Sequence, residues 1–94
     1  MELIEHPILK DARLFFEKLE TISWSVRRPS DMRWESHNSE LFLSFGDSHS
    51  HVELSFYGHG KYCYWAYKNG SVRSGSQSIS ELPCDDILSM ICTR

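Results

Sequence analysis

No run of 18 consecutive apolar residues occurs in this sequence of 94, so nothing in it qualifies as a membrane-spanning helix. The opening stretch MELIEHP lacks the basic and apolar regions of a secretory leader, and a cytoplasmic protein is expected. Cysteine is scarce: Cys63, Cys84 and Cys92 are odd in number and include no CxxC pair, which argues against a disulfide framework. Reduced, mostly buried thiols are expected, as suits that compartment. Strong charge of either sign is missing too. A net charge of −3 argues against a duplex-DNA binder that works by neutralising phosphates, and it is too mild for an acidic mimic of nucleic acid. A phosphate-binding glycine signature is also absent, because Gly58-His59-Gly60 reads as a hairpin loop rather than the start of a strand-to-helix dinucleotide site.

What is present is ordinary globular material, 40% hydrophobic and 24% charged, which excludes disorder from composition alone. At this length residues 1–94 make a single domain that buries roughly 60–65% of the surface its unfolded form exposes. No repeats or linkers divide it. After His6-Pro7, the residues Ile8, Ala12, Phe15, Phe16 and Leu19 recur at steps of three and four, which predicts an amphipathic N-terminal helix of about four turns. Proline suits its first position because that N–H has no intrahelical partner.

From Ile22 the period becomes two. Ile22, Trp24 and Val26 alternate with polar residues, and Arg28-Pro29-Ser30-Asp31 reads as a turn. Met32 to Ser36 reads as a second strand with Trp34 pointing inward, paired with the first as a hairpin and broken at His37-Asn38-Ser39. Leu41, Leu43 and Phe45 then share one face of a third strand, and Val52, Leu54 and Phe56 one face of a fourth. Lys61–Lys68 is apolar on both faces. A three-residue loop at Gly58-His59-Gly60 sets Tyr57 opposite Lys61, buries Tyr62, Tyr64 and Ala66, and leaves Trp65 and Tyr67 outside; a two-residue His59-Gly60 turn does the reverse. The longer loop is preferred. Asn69-Gly70 is a strong signal for a type I′ hairpin, pairing Lys68 with Ser71 and setting Gly75 across from Tyr64. SVRSGSQSI has the weak apolarity of an edge strand, and Asp85 and Asp86 open a short last helix with Ile87, Leu88 and Ile91 on its apolar side. The expected fold is α+β: an N-terminal helix, an antiparallel β-meander of four to six strands and a short C-terminal helix, with both helices on one face of the sheet.

Function is less legible. Asp47, His49 and His51 alternate as metal ligands can, yet the stretch also reads as a polar turn between strands. Cys63 or a serine with His51 and Glu53 lacks both the strained elbow and the oxyanion loop of a nucleophilic site, so no enzyme and no cofactor are expected. Tyr57, Trp65 and Tyr67, with His51, Lys61 and Lys68 nearby, suit a protein interface, single-stranded nucleic acid, or simple packing. Arg27, Arg28 and Arg33 form the one basic cluster, in a 27–33 loop that also carries Asp31. The expectation is a small non-catalytic protein-binding domain of inhibitor, immunity or accessory type, of the kind mobile elements carry. Its partner-binding residues would be Tyr57, Trp65, Tyr67, Arg27, Arg28 and Arg33, and its partner another protein or, in a homodimer, itself. Single-stranded nucleic-acid binding by the same face is the alternative, and a metal site at Asp47, His49 and His51 the third reading.

Overall fold

His6 and Pro7 start the first helix, α1 (Pro7–Thr21), in a computed structural model that describes residues 6–21, 25–35 and 39–93. The His6 imidazole Nδ1 accepts the Ile8 N–H at 3.3 Å, taking one of the donors a helix start leaves free. Of the stripe predicted from spacing, Ile8, Ala12, Phe15 and Leu19 are buried and Phe16 is half-buried against them, joined by Asp11, a carboxylate on the same face. In the last turn of the helix, the Lys18 ammonium reaches the carbonyl of Ser80 and ties the helix to the far end of the sheet.

Five strands form one antiparallel meander: β2 (Asp31–Glu35), β3 (Glu40–Gly46), β4 (Ser50–Phe56), β5 (Lys61–Lys68) and β6 (Ser71–Ser78), each paired with its sequence neighbours. The register stacks Leu41 on Phe56, Leu43 on Leu54 and Phe45 on Val52, then Phe56 on Tyr62 and Val52 on Ala66. These side chains share one face. Phe15 of α1 lies 4.7 Å from the Tyr62 ring and 5.6 Å from that of Phe56, so the helix seals that face where its aromatics are densest. The last helix, α2 (Asp85–Ile91), is too short to persist alone and is held by Ile87, Leu88 and Ile91, all buried in the same core. Both helices therefore cover one side of the sheet.

The 57–61 connection adopts the three-residue form. Phe56 pairs with Tyr62, and Gly58 and Gly60 both take positive φ, which a side-chain-bearing residue there would resist. The loop is fixed from both sides: the Gly60 N–H donates to Asp11 Oδ2 at 2.8 Å, and its carbonyl accepts the Ile79 N–H at 3.0 Å. Asn69 and Gly70, also at positive φ, make the predicted tight turn with Lys68 opposite Ser71. Gly75 lies across from Tyr64, and a Cβ built there would sit 2.7 Å from the phenol oxygen, so the ring occupies the volume that glycine leaves.

Three expectations are corrected. The expected hairpin between the first two strands does not form; β1 (Ser25–Val26) pairs instead with β7 (Cys92–Thr93) at the other end of the chain. The reason lies just beyond β1. The Arg27 N–H donates to the Ile91 carbonyl at 2.8 Å, and its guanidinium reaches the carbonyls of Ser89 and Cys92, the acceptors that the end of α2 leaves free. Ser30 meanwhile swings onto the Ser44 carbonyl and delivers β2 to β3. Ile22, Ser23 and Trp24, the start of the predicted first strand, lie outside the described residues, as does His37-Asn38 of the predicted break. Trp34 pairs with Leu41 and so projects on the core side, but at the sheet's edge, where it stays 45% exposed against the His6 ring. Of the thiols only Cys92 is buried; Cys63 is half-buried and Cys84, just ahead of α2, is exposed.

Candidate functional site

The second face of the sheet has no described helix or strand packed upon it. Period two dictates its membership: Arg33, Phe42, Ser55 and Cys63 form one row across the strands, Asp31, Ser44, Glu53 and Trp65 the next, and His51 with Tyr67 a third. Trp65 is 39% exposed and stacks on Tyr67 with centroids 6.5 Å apart and planes only 10° from parallel. The His51 imidazole stands edge-on to Trp65 at 6.0 Å, and the Arg33 guanidinium lies 4.4 Å over the Phe42 ring. Tyr57 continues this face at one corner, 37% exposed. Partial burial, with the Glu40 carboxylate close by, raises the Tyr57 phenol above its ordinary value and keeps it a neutral hydroxyl.

A serine, a histidine and a glutamate do meet here. Ser44 Oγ is 3.2 Å from His51 Nε2, and Glu53 Oε1 is 3.1 Å from that same nitrogen. A proton relay needs the nucleophile and the carboxylate on opposite ring nitrogens, so this cluster fixes the imidazole beside Trp65 without activating the serine. The Asp47 stretch resolves as a turn. Asp47 Oδ1 accepts the backbone N–H groups of His49 at 2.8 Å and Ser50 at 3.1 Å, and these bonds hold its carboxyl below its ordinary value. His51 points to Ser44 and Glu53 instead, so the third reading's three ligands do not converge; among the described residues no group of three His, Cys, Asp or Glu could hold a metal ion.

The basic cluster disperses on folding. Arg27 is spent on the end of α2, Arg33 belongs to β2 rather than to a loop and lies on the open face near Asp31 at 3.4 Å, and Arg28 lines a groove of about 490 Å³ beside α2. Lys68 lines that groove too. It pairs with Ser50 and Ser71 on the helix side, and so stands behind the aromatic pair rather than beside it. Among the described residues, the open face is left with Arg33 and Lys61 as permanent cations against the carboxylates of Asp31, Glu35, Glu40 and Glu53. Sequence reading missed Phe42, Arg33's seat upon it, and Ser44. Strict alternation with the buried Leu41, Leu43 and Phe45 was the signal that placed Phe42 outward.

The fold and its face define an α+β domain with a one-sided sheet and a bare aromatic surface. Comparison with known proteins adds no identity: no family model, no curated protein and no solved structure matches this chain.

Proposed function

We propose that this chain is a small non-catalytic protein-binding domain, of inhibitor, immunity or accessory type, whose working surface is the open face of its sheet. One observation carries the reading: the stacked Trp65 and Tyr67 lie on a sheet face that nothing described covers, within a rim of charged and hydroxyl side chains. Tryptophan, tyrosine and arginine at the centre of a polar-rimmed patch are the side chains on which interfaces concentrate their energy. Charge separates this reading from single-stranded nucleic acid. Stacking on Trp65 would bring phosphates over a surface where carboxylates outnumber permanent cations, the reverse of a strand-binding groove. The same excess favours a partner with basic residues around an apolar centre. A cytoplasmic setting is part of the proposal, supported by cysteines that are all unpaired.

The test is affinity capture from the native cell with two baits, the wild type and a Trp65→Ala/Tyr67→Ala variant, followed by mass spectrometry. The expected result is a protein recovered by the wild type and at least about thirtyfold depleted with the variant, the factor that roughly 2 kcal/mol of hot-spot energy implies. Circular dichroism of the variant should be unchanged, because neither ring belongs to the core. Equal recovery by both baits, or an unfolded variant, overturns the assignment to this face.

A further inference from the structure

The two edges of the sheet are built differently. The outer edge of β2 follows Pro29 and carries Asp31, Arg33 and Glu35, the charges and proline that keep a strand from recruiting another. The outer edge of β6 has none of this protection: eight residues, no proline, and a single charge, Arg73, whose guanidinium is directed to Asp86 at 3.8 Å. The backbone parity along β6 is fixed. In a two-residue hairpin the pair flanking the turn exchanges hydrogen bonds, so Ser71 and every second residue after it bond inward to β5. The bond from the Ile79 N–H to Gly60 confirms that parity at the far end. Val72, Ser74 and Ser76 therefore aim both N–H and C=O outward, and no described residue meets them. Ser78 shares their parity, but its carbonyl already accepts the Glu81 N–H at 3.0 Å. The free edge is thus three residues centred on Ser74.

We propose that a second copy of this chain occupies that edge, with β6 pairing antiparallel to its own counterpart about a twofold axis at Ser74. This register sets Ser74 opposite Ser74 and Val72 opposite Ser76 of the second copy, and satisfies every free group in about six hydrogen bonds. It also sets Arg73 opposite Gly75, so no like charges oppose and each Arg73 keeps its place beside Asp86. Shifting the pairing to centre on Arg73 would force two guanidiniums together. A foreign strand is disfavoured because serine and glycine offer no pockets to read its side chains, whereas in self-pairing the twofold axis repeats the same charge-free register on both sides of Ser74. Pairing this short buries less than the roughly 1,200 Å² of a standard stable interface, so the dimer is weak and dissociates on dilution.

Sedimentation of the whole chain across micromolar to millimolar concentration tests this. The wild type should pass from monomer to dimer. Ser74→Pro removes an outward N–H without touching the β5–β6 bonds, and Ser74→Lys sets two charges together on the axis; each should weaken dimerisation at least tenfold. Met32→Lys, on the opposite edge, should leave it unchanged. Amide exchange supplies a second readout: in the dimer the Val72, Ser74 and Ser76 amides become protected, while those of Arg73, Gly75 and Gln77 are protected in both states. A wild type that remains monomeric at millimolar concentration overturns the proposal. So does a dimer that survives both Ser74 changes, yields to Met32→Lys, or leaves the three outward amides exchanging freely.

Discussion

A carboxylate on the buried face of a helix is costly unless a donor meets it, and Asp11 meets the Gly60 N–H at 2.8 Å. That bond holds the loop whose length decides which half of β5 faces the core, so its effect extends beyond its own energy. Asp11→Ala should cost about 1–3 kcal/mol in urea unfolding, the range for a half-buried donor left without a partner, and should speed exchange of the Gly60 amide. Asp11→Asn, which keeps an acceptor, should cost less. Tyr62 carries the pH dependence. Burial, then the proximity of Tyr64, raises its phenol far above the ordinary value, and its hydroxyl donates to Gln77 Oε1 at 2.7 Å. The neutral form is the folded one. Below pH 10 both states keep the proton and its contribution is complete; above it the unfolded chain ionises first, so stability falls as pH rises. Cys92, raised by burial, adds in the same direction. Tyr62→Phe should cost about 1 kcal/mol at neutral pH and flatten the alkaline decline between pH 10 and 12, as read by thermal unfolding.

The elements whose pattern is local were legible, and those fixed by distant partners were not. α1 follows from the spacing of Ile8, Ala12, Phe15 and Leu19, and the β5–β6 hairpin from Asn69-Gly70, because each signal lies within a few residues of its consequence. The same logic placed Trp65 and Tyr67 outward once the loop length was chosen. β1 failed that logic. Its partner is β7, and nothing near Val26 announces a strand at Cys92–Thr93; the cause is Arg27 meeting carbonyls of α2 that exist only once the core has closed. Trp34 failed differently, since alternation gives its side of the sheet but not the width of the helix above. Of the candidate surface, the aromatics were readable from period two. Its charge was readable from the same parity, which sets Lys68 on the opposite side from Lys61, although the expectation from sequence counts the two lysines together.

At the scale of the whole molecule, a five-stranded sheet is roofed on one side by two helices that flank it in sequence, α1 before the meander and α2 after it. The meander between them consists of neighbour pairings and needs no distant contact to form its ladder. Its covering does. Ile87, Leu88, Ile91 and Cys92 complete the core, and all lie in the 15 residues from Ile79 to Thr93 that follow β6. During synthesis at roughly 5–20 residues per second, that tail is added over about 1–3 s after the last residue of β6. Until that tail docks, part of the apolar face around Phe45 and Val52 has no roof. A version ending at Ser78 should bind a hydrophobic dye such as ANS where the version ending at Thr93 does not, and a dye-silent short version would show α1 alone to be a sufficient roof. The molecule's vulnerability thus has a time as well as a place: it belongs to the interval before α2 docks.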